Sequence, residues 1–190
     1  MFGDTRGVDP IEPVASREVY RNPWMIVRED DVRRQDDSLG IYGVIDKPDY
    51  ALVIARDGKR YRLVEQFRYP LGLRRWEFPQ GTAPGTLDGD QPEPAELAMR
   101  ELREETGLRA RSVLPLGRLD VAPGMSSQRG SVFLATDLTE GEHDREPEEQ
   151  DMRTAWFTDE QIDQMITAGV ITDAQSIAAW MLLRLADGNR

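Results

Sequence analysis

Hydrophobic positions in the first third of the chain come in short runs rather than in long periodic stretches. "WMIVRED", "LGIYGVI", "YALVIAR" and "RYRLVEQ" are rich in Val, Ile and Tyr, and turn-formers such as "DKPD" and the Asp57-Gly58 pair separate them. This pattern predicts strands, several of them in antiparallel hairpins. Residues 1–17, rich in Gly, Pro and charge, read as a loosely held arm. Further on, "SVLPLGRLDV", "SVFLATDL" and "RTAWFT" read as strands, while "TDEQIDQMITAG" and "TDAQSIAAWMLLRLADG" read as helices that open on a Thr-Asp capping pair and close on Gly. No internal repeat is present.

The middle of the chain changes character. "TAPGTLDGDQPEP" has the Gly, Pro and Asp content of a loop, and after it a helix is expected from Pro94, tolerated in a first turn, to Gly107, suited to a left-handed C-terminal cap. On that helix Ala95, Ala98, Met99, Leu102 and Thr106 form the apolar or neutral stripe. Glu101, Glu104 and Glu105 fall within a sector of roughly 100°, flanking that stripe at the edge of the core. Two readings of the crowded acids stand side by side. One is a solvated face laced by ion pairs such as Glu96 to Arg100 and Arg100 to Glu104. The other is a site for a hard divalent cation, which takes oxygen ligands. Spacing alone does not decide between them.

Composition narrows the chemistry. The 190 residues, 39% hydrophobic and 31% charged, suit one globular domain with a small appended element. A net charge of −11 argues against a nucleic-acid groove, although small anionic ligands remain open if a cation or an arginine cluster meets them. With no cysteine and a single histidine, His143, thiol nucleophiles, disulfides and Cys/His zinc sites are excluded, and catalysis falls to carboxylates, hydroxyls or arginines. The N-terminus lacks the regions of a signal peptide and no apolar run reaches the roughly 18 residues of a membrane span, so the cytoplasm is the expected compartment and no membrane partner is expected.

The order of residues in "RELREETGL" resembles the core of the Nudix hydrolase box, Arg-Glu-apolar-x-Glu-Glu-x-Gly-apolar, met by Arg100, Glu101, Leu102, Glu104, Glu105, Gly107 and Leu108. The resemblance implies that Glu101, Glu104 and Glu105 hold Mg²⁺ or Mn²⁺ against a substrate diphosphate, with Glu104 counted among the catalytic carboxylates as well. The first half of the box departs from the pattern. Thr86 and Pro92 stand where its glycine and glutamate are expected; with Gly81 of "EFPQG" as the box glycine the loop carries five extra residues, and Glu93 is an approximate stand-in for the glutamate.

The likeness extends over most of the chain and narrows to the ADP-ribose pyrophosphatase-like branch through "VYRNPWMIVRED", "LVEQFRYPLG", "WEFPQG" and "GVITDAQSIAAWMLL". It implies a backbone carbonyl of Gln80 as a further metal ligand and Arg68 as a contact to substrate phosphate, for which a guanidinium fork is suited. Trp24 and Tyr20 become candidates for stacking on the base. "APGMSSQRG" takes the place of a Ser-Pro-Gly-Phe-x-x-Glu loop, with Gln128 where an acid is common. The run "EGEHDREPEEQDM" reads by composition as a solvated loop; the resemblance places the water-activating glutamate there, as Glu148 or Glu149, with Asp151 a third candidate.

The implied fold is α/β, a Nudix α/β/α sandwich with a mixed sheet and an N-terminal antiparallel strand segment. Its expected parts are a flexible arm over 1–17, a strand segment over 18–46 that serves as a dimerisation element, and a hydrolase domain over 47–190. The implied reaction is Mg²⁺-dependent hydrolysis of the diphosphate linkage in a nucleoside diphosphate derivative, ADP-ribose or a nucleotide sugar, by a homodimer. A house-cleaning nucleoside triphosphate pyrophosphatase and a non-catalytic Nudix nucleotide-binding protein are the alternatives.

Overall fold

The computed structural model describes residues 10–145 and 150–188. The described residues form ten strands, arranged as two sheets, and three α-helices. The first holds three strands in the order β1 (Ile11–Asn22), β2 (Met25–Arg34) and β3 (Leu39–Asp46), paired antiparallel throughout. Residues 11–17, expected as a loose arm, are the first half of β1. They escape recognition in the sequence because β1 is exposed on both faces except at its last residue, and so carries no inside/outside alternation. Its register shifts between Pro13 and Ala15, where a bulge relieves proline of its missing donor.

The second sheet is mixed and has seven strands. Its path runs β10 (Arg153–Thr158), β5 (Arg60–Arg68), β4 (Tyr50–Asp57), β9 (Arg129–Thr139) and β8 (Arg109–Asp120), with β6 (Leu73–Glu77) on β5 and β7 (Gln80–Thr82) on β4. The central β4–β9 pair is parallel and its neighbours are antiparallel. Every residue of β4 from Tyr50 to Ala55 is buried, and alternation divides them between two cores. Tyr50, Leu52 and Ile54 face α2 (Asp159–Thr167) and α3 (Ala174–Gly188), meeting Phe78, Ile162, Trp180 and Leu183. Ala51, Val53 and Ala55 face α1 (Pro94–Thr106), meeting Leu97, Ala98, Leu102 and Leu108. Helices on both faces of a sheet buried on both faces give the α/β/α sandwich.

Helix limits follow from local chemistry. Pro94 opens α1, and Gly107 closes it at φ 76°, where its backbone N–H donates to the Arg103 carbonyl. A β-carbon on Gly107 would also run into the Gly141 carbonyl, so glycine is required there twice over. Thr158 caps α2 in a full capping box with Gln161. Asp173 caps α3 through its carboxylate, which accepts from Ser176 N at 2.8 Å.

Two loops fasten the small sheet to the large one. Residues 124–129 run alongside residues 42–49: Ile45 N donates to the Met125 carbonyl, Ser126 Oγ to the Ile45 carbonyl, Ser127 Oγ to Asp46, Gln128 Nε2 to the Pro48 carbonyl and Arg129 N to Asp49. The second fastening uses the loop before α1, where Gly85 N donates to the Pro23 carbonyl at 2.7 Å and Arg21 pairs with Asp88. The lengthened loop thus docks against the β1–β2 hairpin. Among the described residues no helix is long and apolar enough to cross a membrane.

Candidate active site

The site begins with where α1 lies. Its buried residues are Leu97, Ala98, Glu101, Leu102, Glu105 and Thr106, one continuous stripe, while Met99 is exposed. This corrects the stripe expected from hydrophobicity: Met99 faces solvent, and Glu101 and Glu105 sit on the buried face rather than beside it. The reason is Gly81. A β-carbon at that position would overlap the Glu101 carboxylate, so the missing side chain opens room for an acid between helix and sheet. Gly81 therefore takes the part of the box glycine.

Glu101 reaches a cavity of about 570 Å³ whose wall also includes Gln80, Gly81, Arg68, Glu77 and Trp24. A volume of this size suits a nucleotide-sized ligand. Gln80 and Glu101 share that wall, whereas Glu104 and Glu105 do not line it. Glu104 is drawn to two arginines, Arg103 at 3.0 Å and Arg100 at 3.5 Å, and Arg100 also meets Glu101 at 3.1 Å. The expected Arg100–Glu104 pair is present. Arg100 further donates to the Thr82 carbonyl, which fixes α1 against β7. Among the described residues, no three acidic or histidine side chains already stand close enough to enclose an ion. Glu101 is the carboxylate that the box helix brings to the cavity and Gln80 shares its wall, and the hard oxygens of a carboxylate fit a divalent cation of the Mg²⁺ type. Such an ion, when bound, polarises a phosphoryl oxygen and acidifies a water.

Gln80 and Phe78 tie the β6–β7 connection to α3. Gln80 Nε2 donates to Asp173 at 3.1 Å, and Phe78 N donates to Ser176 Oγ at 2.9 Å in a fully buried bond. The side chain at position 80 thus holds its own carbonyl in place.

Arg68 lies where the sequence places it, but it is already engaged. Its Nη2 stands 2.7 Å from Glu77 Oε1 and its Nε 3.2 Å from Oε2, a bidentate pair with a carboxylate that is nearly inaccessible. Gln66 adds a third contact to Glu77. Burial pushes the Glu77 carboxyl above its ordinary range, and the Arg68 charge opposes that shift. Trp24 lines the cavity from the β1–β2 turn, while Tyr20 is exposed outside it and its hydroxyl meets only Asn22 among the described residues.

Gln128 has a structural duty. It is buried on the cavity wall and donates 2.7 Å to the Pro48 carbonyl, which a carboxylate at that place would repel. Its amide belongs to the fastening between the sheets.

Glu148 and Glu149 lie outside the described residues. The flanks of that loop are anchored to α1: Asp144 N donates to the Glu104 carbonyl, and Arg145 Nε donates to the Glu105 carbonyl while Nη1 donates to the Met152 carbonyl. Asp151, the third candidate base, pairs with Arg74 at 2.5 Å. His143 is exposed. Two residues that sequence reasoning passed over, Lys47 and Arg75, also face the cavity. No local motif surrounds them, because what aims them is built from distant segments.

Comparison with known proteins agrees with this geometry. Residues 11–45 match the nucleoside diphosphate sugar hydrolase N-terminal domain, and residues 46–180 match the NUDIX domain. An ADP-ribose pyrophosphatase of Mycobacterium tuberculosis is 32% identical over 88% of this chain and 80% of its own length. One from Bacillus subtilis is 26% identical over 92% of each. A CMP-5'-(N-acetyl-N-hydroxy-3-aminopropyl)phosphonate hydrolase of Streptomyces rubellomurinus is 26% identical over 89% of this chain and 80% of its own. The crystal structure of an ADP compounds hydrolase superposes with a TM-score of 0.80 at 17% identity, covering 95% of both chains, which establishes a shared fold. With its buried box acids, its box glycine and these relatives, the chain belongs to the Nudix family and is a pyrophosphohydrolase of the ADP-ribose pyrophosphatase-like kind.

Proposed function

We propose that the protein hydrolyses the diphosphate linkage of a nucleoside diphosphate derivative, ADP-ribose or a nucleotide sugar, with Mg²⁺ or Mn²⁺ as cofactor. The observation that carries this reading is the Glu101 carboxylate set over Gly81 on the wall of a cavity that also holds an arginine and a tryptophan. Glu101, with the Gln80 carbonyl, holds the ion; Glu104 and Glu105 complete the acidic face of the helix behind it. Trp24 offers a flat apolar face for the base. Glu148 or Glu149 orients or deprotonates the attacking water, a role that a carboxylate free of the metal fills better than one bound to it. The related ADP-ribose pyrophosphatases support ADP-ribose as the substrate, and the phosphonate hydrolase supports tolerance of other groups on the nucleotide.

The test is a substrate panel with Mg²⁺ and product identification. ADP-ribose should yield AMP and ribose 5-phosphate, with activity lost in EDTA and restored by Mg²⁺ or Mn²⁺. Turnover undiminished in chelator rejects the metal, and an ADP-ribose pool left intact alongside a hydrolysed nucleotide sugar reassigns the substrate. Either Glu148→Gln or Glu149→Gln should lower kcat by about 10²- to 10⁴-fold with substrate affinity retained. Unchanged kcat in both and in the double variant places the base elsewhere.

A further inference from the structure

We infer that Lys47 and Arg75 form a metal-independent phosphate-binding subsite in the cavity, and that these two cations, more than Arg68, grip the substrate's diphosphate. The inference deepens the proposed function and rests on it for the identity of the substrate, though not for the chemistry of the subsite.

The argument starts from how charge is distributed along the cavity wall. Three acids line it, and each is already engaged: Glu77 by Arg68 and Gln66, Asp173 by Gln80 Nε2 and Ser176 N, and Glu101 by Arg100. Three cations line it as well, and only Arg68 has a carboxylate within 4.0 Å among the described residues. Lys47 and Arg75 are left over. A half-buried cation facing a cavity without a counter-ion is poorly compensated in a chain of net charge −11, where acids are in excess.

Each of the two is held so as to face inward. Lys47 lies in the middle of the segment fastened to residues 124–129. Ile45, Asp46, Pro48 and Asp49 all take part in that fastening through backbone or side-chain bonds. Lys47 alone takes no part, and its side chain lines the cavity. Arg75 projects from β6, opposite Gln66 of β5. Its Nε donates to Thr172 Oγ1 at 3.0 Å and its Nη1 to the Arg74 carbonyl at 2.9 Å, which fixes the plane of the guanidinium. Nη2 has no acceptor among the described residues.

A diphosphate diester carries one negative charge on each phosphoryl group, and the two cations match that in number and type. A fixed guanidinium offers directional N–H donors, and the lysine ammonium a rotatable point charge. Neither contact needs a metal ion. Substrate is therefore captured electrostatically before or without the divalent cation, which then adds the chemistry.

The experiment measures binding by calorimetry in EDTA, where no turnover occurs, with inorganic pyrophosphate as the probe common to all nucleoside diphosphate derivatives and ADP-ribose in parallel. Wild-type protein should bind pyrophosphate, with Kd rising as salt is added. Lys47→Met and Arg75→Met should each raise Kd at least tenfold and flatten the salt dependence, Lys47→Arg should retain affinity, and Arg153→Met, outside the cavity, should change nothing. Lys47→Met decides the matter even if Arg75→Met fails to fold, because the Lys47 side chain makes no hydrogen bond or ion pair among the described residues. Pyrophosphate binding that is absent in the wild type, or equal in wild type and Lys47→Met, overturns the subsite. Pyrophosphate bound as expected in EDTA, with ADP-ribose not bound there and not hydrolysed when Mg²⁺ is supplied, keeps the subsite and overturns the choice of substrate.

Discussion

The two sheets both contain antiparallel ladders but are held by opposite means. In the seven-stranded sheet, β4 is buried along nearly its whole length and helices cover both faces, so its residues are chosen by packing. In the three-stranded sheet, β1 is exposed almost throughout and apolar side chains such as Leu39 at 68% and Ile41 at 64% exposure lie open. It is held by its own ladders, by ion pairs such as Arg17–Glu29, and by the two loops beside the cavity. The first sheet is stable because of what it encloses; the second has surface left over for something else. We propose that this surface, with Val19, Tyr20, Leu39 and Ile41, is where a second copy of the chain docks.

The sharpest way to break the comparison is to truncate an apolar side chain in each sheet. Leu63→Ala, at a fully buried position of β5, should lower stability by about 2–5 kcal/mol in chemical denaturation. Val19→Ala on exposed β1 should change the stability of the monomer by less than about 0.5 kcal/mol. Equal losses would show that the small sheet has a core of its own.

A charge placed on the small sheet should act on assembly rather than on folding. Ile41→Asp is expected to shift the light-scattering mass at micromolar concentration from dimer towards monomer while the denaturation midpoint at low concentration stays within a degree or two, since about 1 kcal/mol moves Tm by 2–4 °C in a chain of this size. A wild-type protein that is already monomeric and fully active refutes the docking surface.

The smallest effect concerns Glu77, an acid of the large sheet that is 1% exposed, against 8% for Asp30, the buried acid of the small one. Its carboxyl is pushed up chiefly by burial, so between the ordinary carboxylate value and its raised value the folded state holds the proton more tightly than the unfolded state. That contribution is fully present below the ordinary value and is lost as pH rises through the raised one. Stability measured across the mildly acidic range should therefore fall with pH more steeply in the wild type than in Glu77→Gln, and parallel slopes would show that Arg68 cancels the burial effect.

The sheets also differed in how far they could be read from the sequence. Pro94 and Gly107 marked α1, the Thr158 cap marked α2, and the Val- and Ile-rich runs marked β4, β5 and β9, because local chemistry decides those features. Hydrophobic periodicity misplaced Met99 and treated Glu101 and Glu105 as flanking the core, because a periodic pattern takes acids to be outside and cannot know that Gly81 clears space for one of them. Arg68 was singled out as a contact to substrate phosphate, and its place on the cavity wall was not legible, nor was its Glu77 partner nine residues on. Lys47 and the bonding role of Gln128 were invisible, since the contacts that define them join residues about 80 positions apart.

The fastening of residues 42–49 to residues 124–129 has a consequence for modularity. A chimaera that grafted the small sheet onto another Nudix domain at Asp46 would leave Ile45 N, Ile45 O and the Asp46 carboxylate facing a foreign loop. The portable unit is therefore discontinuous: strands β1 to β3 travel only together with a strip of chain that the linear order assigns to the other domain. Substitutions in the strip are therefore expected to co-vary with the end of β3 rather than with their own sequence neighbours.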